Sequence, residues 1–322
     1  MIKISIGIPV YNQANTIKST IDSVLNQITL PLEIVVSENH STDGTREIVE
    51  QYKDRVKIVK PPIHLSMSEN WNYCVNECQG DWIGLCSGDD NLLPNYVDEI
   101  LRYIKLHPSA IFVMGGWQFF DEKNNVITEH YLLSMGEFTR PPETLKMQLR
   151  GPKGSFAAFC FLKSKFDEIG RFNTKFHLYQ DWMLQFDLAK YGDFIKINKI
   201  IAQYRISHRP EIESERKMLH VQDMLLYLDD KIWEAMDYGI KKEYINNVCQ
   251  KLLYNLLIYI QENSLDVDNI IVEKVKSIAT KSNQFKLYKK WEKGDKLKKT
   301  SKNVFFKVKS LVRYIYNIYR KL

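Results

Sequence analysis

The first 120 residues alternate between two hydrophobic periodicities, and this alternation limits the possible folds more than any other feature of the sequence. Apolar and β-branched runs predict strands at 4–10, 32–36, 56–59, 81–86 and 110–117. Helical spacing of apolar residues fills the intervals, at 17–28, 44–53, 68–78 and 94–106. Strands that alternate with helices of this length are typical of a mostly parallel sheet flanked by helices. We therefore predict an α/β fold whose ligands bind beyond the carboxyl ends of the strands.

The composition of the chain changes near residue 214. Residues 118–210 are less regular, with an apolar run that predicts a short strand at 156–162, and after Pro210 there is no proline and glycine occurs only at Gly239 and Gly294. The spacing of apolar residues there predicts helices at 214–237, 241–263, 268–280 and 300–321. We predict a catalytic domain over 1–213, a helical region over 214–322 and a basic tail from about residue 296.

Composition excludes several classes of protein. With 44% hydrophobic and 26% charged residues among 322, the chain is neither disordered nor collagen-like. No apolar stretch approaches the roughly 20 residues of a membrane-spanning helix, and the strand-like start lacks the features of a signal peptide. The 5 cysteines fit no disulfide or zinc pattern, so we expect reduced core residues and a cytoplasmic location.

Two adjacent carboxylates end the strand at 81–86. The segment Ser87-Gly88-Asp89-Asp90-Asn91 precedes Pro94 at the start of a helix. Two neighbouring carboxylates repel each other, and a site that keeps both charged usually supplies a cation such as Mg²⁺ or Mn²⁺. The alternative is a turn in which Asp90 or Asn91 caps the helix.

Polar groups also follow the first two strands. Glu38 can accept a hydrogen bond from the N–H edge of a base or from sugar hydroxyls, while Ser41 and Asp43 nearby can act as helix caps. Pro9, Tyr11 and Asn12 end the first strand, where Tyr11 either stacks on a base or simply packs. These residues are candidates for binding a nucleotide.

Three motifs occur in one order along the chain: SIGIPVYNQANTIKSTIDSVLNQ, EIVVSENHSTDGT and GDWIGLCSGDDNLLP. Together they resemble the inverting glycosyltransferases of family 2, which have the GT-A fold, over roughly residues 3–210. The resemblance implies a nucleotide-diphosphate sugar as donor, a divalent Mn²⁺ or Mg²⁺ ion, and inversion at the anomeric carbon in one displacement.

The resemblance also assigns roles to individual positions. It implies a nucleotide pocket that includes Pro9, Tyr11 and Asn12, and it places Glu38 where the family has an aspartate that contacts uracil, which favours a UDP-sugar. Asp89 falls near the ribose and Asp90 at the metal-ligand position. Within the three motifs, four positions depart from the family pattern: Glu38, Asn39, His40 and Ser87.

The second half of the predicted catalytic domain supplies the remaining candidates. Asp181 matches the family's catalytic base, which takes a proton from the acceptor hydroxyl, and Gln180 replaces an acidic neighbour. Arg205 is predicted to approach the donor diphosphate and His208 to bind the metal. The alternatives are a charge at a helix N-terminus for Asp181 and a solvated side chain for His208.

The C-terminal tail is strongly basic. Residues 286–322 contain 13 Lys/Arg and 2 Asp/Glu, a balance of +11, whereas the rest of the chain has a balance of −5 (32 basic and 37 acidic residues). Apolar residues recur at helical spacing in 303–322, and a basic amphipathic helix can lie on an anionic membrane. We predict peripheral attachment to the cytoplasmic face of the membrane and a saccharide or lipid-linked acceptor, the alternative being a helix packed on the catalytic domain. No motif indicates nucleic-acid binding.

The predicted function is therefore transfer of a sugar in the synthesis of a surface polysaccharide or glycolipid. Two alternatives stay open. A sugar nucleotidyltransferase would share the sheet and the acidic pair, although residues 9–20 contain no glycine for a phosphate loop. A non-catalytic, membrane-associated assembly protein on the same fold would account for the departures at Asn39, Ser87 and Gln180.

Overall fold

The computed structural model describes residues 2–121, 123, 125–132, 135–206, 213–294 and 297. These residues form two compact units. The first comprises the described residues of Met1–Thr144, Lys153–Lys175 and Gln180–Ser207. The second comprises Leu145–Pro152, Phe176–Tyr179 and the described residues after 207. The domain division at residue 213 stays a prediction.

The first unit contains a mixed sheet of 10 strands. The strands are β1 (Ile4–Val10), β2 (Glu33–Glu38), β3 (Lys57–Val59), β4 (Trp82–Leu85), β5 (Asn91–Leu92), β6 (Ala110–Phe120), β7 (Val126–His130), β8 (Phe138–Thr139), β9 (Phe159–Leu162) and β10 (Asp193–Arg205). Their order is β3-β2-β1-β4-β9-β6-β10-β5, with β7 beside β6 and β8 beside β10. The pairs among β3, β2, β1 and β4 and the pair β6–β10 are parallel, and the other pairs are antiparallel. The α/β fold is confirmed.

Helices alternate with these strands along the first part of the chain. They are α1 (Ile17–Leu25), α2 (Thr45–Glu50), α3 (Met67–Asn76), α4 (Tyr96–Leu106), α5 (Glu143–Gln148), α6 (Lys163–Glu168) and α7 (Gln180–Leu188). α4 shows why the pattern predicted a helix, since Val97, Ile100 and Ile104 recur on one face and are buried. α3 begins with a capping box, in which the Ser66 N–H donates to the Glu69 carboxylate at 2.9 Å.

The second unit is helical. Its elements are α8 (Glu213–Asp229), a 3-10 helix (Lys231–Tyr238), α9 (Lys242–Glu262), α10 (Asn269–Lys281) and α11 (Phe285–Glu292). The helix predicted at 214–237 ends at Asp229 and is followed by the 3-10 helix, whereas the helices predicted at 241–263 and 268–280 are present as α9 and α10. α11 was not predicted, and the predicted helix at 300–321 lies outside the described residues. None of the helices described is both long enough and apolar enough to cross a membrane.

Two predicted strands have different bounds in the structure, and one further strand was not predicted. The strand expected over 156–162 begins at Phe159, because Phe156–Ala158 form a 3-10 turn. The strand expected over 110–117 continues to Phe120, because its last residues pair with β7 on one side and β10 on the other. The two-residue strand β5 was not predicted and forms through pairing with β10. All five cysteines are free and buried, as predicted.

Candidate active site

The carboxyl ends of β1, β2 and β4 meet at one edge of the sheet. In the parallel register Val10 lies opposite Glu38, and Gly7 lies opposite Leu85. The predicted nucleotide and metal residues follow these strands directly, so the fold brings them to the same edge. Pro9 is an exception in one respect, since it is buried inside β1 opposite Ser37.

Glu38 is a buried carboxylate in which one of the two oxygens accepts a hydrogen bond. The side chain is 2% exposed, and its Oε1 accepts the Ser41 N–H at 2.6 Å. Among the described residues no hydrogen-bond donor reaches Oε2, and the nearest cation is the Lys60 Nζ at 4.0 Å. A buried acceptor without a hydrogen bond is costly, and a donor N–H of a ligand would satisfy it after a small local movement.

An aromatic pair lies beyond the end of β1. Tyr11 is 44% exposed, and its ring centroid is 4.5 Å from that of His64. Asn12 adopts a positive φ of 50°, and its Oδ1 accepts the Thr42 N–H at 2.8 Å. The two loops after β1 and β2 are thereby joined to each other, and Tyr11 is left available to stack on a planar ligand.

Asn39 has a structural role that the sequence did not reveal. Its side chain makes two hydrogen bonds with the main chain of Leu65, with Nδ2 donating at 2.8 Å and Oδ1 accepting at 2.9 Å. The His64 Nδ1 lies 3.0 Å from the Asn39 carbonyl oxygen, and the His40 Nε2 lies 2.9 Å from the Pro61 carbonyl oxygen. The departures at Asn39 and His40 therefore fix the loop that presents Lys60 and His64.

The acidic turn, Ser87–Asn91, is held between α1 and β10. Asp90 is 2% exposed, and its Oδ1 accepts the backbone N–H of Arg205 at 3.0 Å. The Thr20 hydroxyl donates to the Asp90 carbonyl oxygen at 2.7 Å. Asp89 is half-buried, with its Oδ2 3.5 Å from the Gln13 Nε2. Both predicted carboxylates therefore lie in a turn that is fixed from two sides.

Thr16 and Gly88 also fix the position of this turn, and the sequence analysis assigned neither of them a role. The Thr16 hydroxyl donates to the Gly88 carbonyl oxygen at 2.8 Å, one helical turn before the contact made by Thr20. A Cβ on Gly88 would lie 2.7 Å from the Val10 Cγ2, so only glycine lets the turn approach β1 this closely. The spacing of the two threonines at i and i+4 was the available signal, because such residues share one helix face.

Electrostatics make the acidic turn a fitting place for a cation. Burial, followed by the charge of Asp89, raises the pKa of Asp90 well above its usual range, and Arg205 offsets this in part. Mg²⁺ and Mn²⁺ prefer oxygen ligands, and Mg²⁺ often uses one or two carboxylates together with substrate phosphates. Asp89 and Asp90 fit that donor set. Within the described part of the chain no three His, Cys, Asp or Glu side chains form a fuller set, and His208 lies outside the described residues.

Arg205 lies beside this turn, and its side chain donates to main-chain carbonyl oxygens. Its Nε donates to the Asp89 carbonyl oxygen at 2.9 Å and its Nη1 to the Asp121 carbonyl oxygen at 3.3 Å. The guanidinium carbon is 4.2 Å from the centroid of the Phe120 ring. The predicted contact with a diphosphate stays a prediction.

Asp181 lies in the first turn of α7. The residue is half-buried, and its Oδ1 accepts the N–H of the next residue, Trp182, at 2.7 Å. Burial raises the pKa of Asp181 to about 6. A carboxylate with this pKa is ionised near neutral pH and basic enough to accept a proton, which is what a general base requires.

The comparisons with known proteins agree with this geometry. The glycosyl transferase family 2 model matches residues 5–167. The chain is 28% identical over 204 residues to chondroitin synthase of Pasteurella multocida, covering 61% of this chain and 20% of that protein. It is 21% identical over 254 residues to an uncharacterized glycosyltransferase of Haemophilus influenzae, covering 75% and 82%. Five of the curated relatives that it matches, chondroitin synthase included, are spanned over only 20–45% of their length.

Solved structures confirm the predicted GT-A fold. Staphylococcus aureus TarS has a TM-score of 0.61 at 15% identity, with 91% of this chain and 53% of that chain covered. The mannosyltransferase PcManGT of Pyrobaculum calidifontis, solved with GDP-Man and Mn²⁺, has a TM-score of 0.56 at 14% identity, with 98% and 87% covered. Because the family model matches half of the sequence and the fold agrees, the chain belongs to glycosyl transferase family 2.

Proposed function

We propose that this protein is an inverting glycosyltransferase that uses a UDP-sugar donor and extends a saccharide or lipid-linked saccharide in surface polysaccharide synthesis. The observation that carries the proposal is the meeting of Tyr11, Glu38 and the acidic turn at the carboxyl edge of β1, β2 and β4. This edge offers a surface for stacking a base, a buried acceptor and paired carboxylates. A nucleoside diphosphate linked to a sugar needs all three.

The choice of uridine rests on Glu38. Its Oε1 is occupied by the Ser41 N–H, which leaves Oε2 as the oxygen for a ligand. Uracil has one ring N–H to donate, whereas guanine presents two adjacent N–H donors and suits a carboxylate with both oxygens available. The solved structures include complexes with either nucleotide, TarS residues 1–349 with UDP-GlcNAc (TM-score 0.57 at 12% identity) and PcManGT with GDP-Man, so the choice depends on Glu38.

The proposed chemistry is a single displacement. The acceptor hydroxyl gives its proton to the Asp181 carboxylate, and its oxygen forms a bond to the anomeric carbon from the face opposite the diphosphate. The bond between that carbon and the diphosphate oxygen breaks, and UDP leaves with the electron pair. A divalent cation bound by Asp89 and Asp90 would neutralise charge on the diphosphate.

The test is hydrolysis or transfer from defined donors. The protein is incubated with Mn²⁺ and, separately, UDP-GlcNAc, UDP-glucose and GDP-mannose, and nucleoside diphosphate release is measured. We expect release from a UDP-sugar and, by proton NMR, an initial sugar product with the anomeric configuration opposite to that of the donor. Faster release of GDP, or a product that keeps the donor's configuration, would contradict the donor or the mechanism respectively.

We extend the proposal to the membrane on the basis of charge alone. The balance of +11 in residues 286–322 favours an anionic surface, to which each nearby Lys or Arg contributes about 1 kcal/mol. The full chain is expected to cosediment with vesicles that contain phosphatidylglycerol at low salt and to dissociate from them in about 0.5 M NaCl. It is not expected to cosediment with neutral vesicles. Equal binding to neutral vesicles would count against this attachment.

A further inference from the structure

The side chain of Arg205 connects three separate segments of the first unit. It lies at the end of β10, is 8% exposed, and pairs in register with Phe120 of β6. Its backbone N–H and its Nε reach the acidic turn, at the Asp90 carboxylate and the Asp89 carbonyl oxygen. Its Nη1 reaches the carbonyl oxygen of Asp121, directly after β6. One buried residue thus fixes the acidic turn to two strands.

The geometry of the guanidinium suits this connection better than a ligand contact. Its plane packs on the Phe120 ring, and two of its nitrogens donate to main-chain oxygens in different directions. A lysine side chain ends in a single nitrogen and cannot donate to both carbonyl oxygens in the geometry of the guanidinium. The positive charge also lies beside Asp90 and opposes the repulsion between Asp89 and Asp90.

We infer that Arg205 is a positioning residue that holds Asp89 and Asp90 in the arrangement a divalent cation needs, and that it does not bind the donor diphosphate. The inference rests on the proposed function, which supplies the cation and the nucleotide. It replaces the diphosphate contact predicted for Arg205 from the sequence. If Arg205 has this role, replacement of its guanidinium weakens cation binding and leaves nucleotide binding in the absence of a cation unchanged.

Two titrations of the full chain separate these possibilities. Mn²⁺ is titrated into protein with saturating UDP, followed by calorimetry and by the electron paramagnetic resonance signal of free Mn²⁺. UDP is titrated in EDTA, where no cation contributes. For Arg205→Lys we expect Mn²⁺ affinity to fall at least tenfold and UDP affinity in EDTA to change less than twofold.

Matched variants control for general damage to the fold. Arg102 is an arginine outside the proposed site that pairs with the Glu99 carboxylate at 3.0 Å and lies 4.5 Å from the centroid of the Tyr103 ring, so Arg102→Lys alters a guanidinium with a hydrogen-bond partner and a ring contact on α4. It should change neither titration. Phe120→Leu removes the ring under the guanidinium and keeps the hydrogen bonds, and we expect a two- to fivefold loss of Mn²⁺ affinity. If Arg205→Lys does not fold, Phe120→Leu provides the test.

Each outcome of the titrations supports or overturns the inference. Unchanged Mn²⁺ affinity in Arg205→Lys, or in Phe120→Leu where that variant stands in, overturns it. An equal loss of UDP affinity in EDTA overturns it as well and identifies Arg205 as a diphosphate ligand. Wild-type protein that binds UDP but does not bind Mn²⁺, even with UDP present, overturns the inference and leaves the nucleotide-dependent function standing, whereas wild-type protein that binds neither UDP nor Mn²⁺ refutes the proposed function itself.

Discussion

Asp90 and Asp181 are both carboxyl groups with raised pKa values, yet the chain holds them in different ways. Asp90 lies in a turn that receives hydrogen bonds from α1 and from β10. Asp181 accepts its one described side-chain hydrogen bond from its own neighbour, Trp182, in the first turn of α7. The first carboxyl group is fixed by its surroundings, and the second is tuned by burial.

This difference corresponds to the two tasks of the proposed reaction. A cation site needs oxygen ligands at fixed positions, and the packing around Asp90 supplies them. A general base needs a suitable pKa and access to the acceptor, and a half-buried carboxylate with a pKa of about 6 meets the first condition. We therefore expect substitutions at the two sites to affect different measurements.

The largest expected effect follows removal of the base. In Asp181→Asn, the amide keeps the size of the side chain and can still accept the Trp182 N–H, but it cannot take a proton. We expect kcat for sugar transfer to fall by about 10²–10⁴-fold and the affinity for UDP to stay the same. Turnover equal to that of the wild type would exclude Asp181 as the base.

The same residue predicts the pH dependence of the wild type. The base must be ionised, so kcat should decrease below a pH of about 6, the pKa of Asp181. The measurement is a profile of kcat between pH 5 and 8 (roughly the range in which such a group titrates) at saturating donor. A profile that stays flat to pH 5 would break the assignment.

Substitution of Asp90 should alter cation dependence rather than proton transfer. In Asp90→Asn, the side-chain oxygen can still accept the Arg205 N–H, so the turn keeps its main connection while one ionic oxygen is lost. We expect the apparent Mn²⁺ affinity in the presence of UDP to fall by about 10–100-fold, in line with losses seen at metal sites. Unchanged Mn²⁺ affinity would show that Asp90 is structural only.

The sequence predicted the positions at this edge well and their partners poorly. The alternating pattern predicts parallel strands, and parallel strands bring their carboxyl ends together, so Glu38 and the acidic turn could be grouped in advance. The connection from Arg205 to the turn spans 115 positions in the chain and depends on the pairing of β10 with β6 and β5. No local pattern specifies such a partner.

Regions without a strong period were also the ones predicted poorly. β7 is mostly exposed on both faces, so it shows no alternation of apolar and polar residues. Asn39 and His40 were identified from the sequence only as departures from the family pattern, whereas they fasten the loop at 61–65 by hydrogen bonds. A polar side chain that binds the main chain and one that binds a ligand have the same sequence signature.

The burial of Asp181 should also cost stability, which gives an independent test of its environment. Its pKa is about 6 in the folded chain against an ordinary 3.8, so the folded state binds the proton more tightly. Well below the ordinary pKa of 3.8 both states are protonated, and Asp181→Asn should match the wild type. As the pH rises towards 6 the wild type loses stability, and above it the variant should be more stable by about 1–3 kcal/mol. Urea unfolding at about pH 3 and about pH 7.5, which lie outside the interval between the two pKa values, measures this, and a variant less stable at both would contradict it.

Glu38 resembles Asp90 in being buried at the sheet edge, but among the residues that the structure describes the one cation paired with it is Lys60, whose Nζ lies 4.0 Å from Oε2. In Glu38→Gln the Oε1 can still accept the Ser41 N–H, but an amide NH₂ group replaces Oε2. This group is a donor and cannot accept the N–H of the base. We expect UDP affinity in EDTA to fall about tenfold, the effect of about 1.4 kcal/mol for one lost hydrogen bond. The exposed Glu47→Gln on α2 is the matched control and should leave UDP affinity unchanged. If Glu38→Gln binds UDP as the wild type does, base recognition does not use this carboxylate, and the two fixed carboxyl groups at the edge differ in role as well as in position.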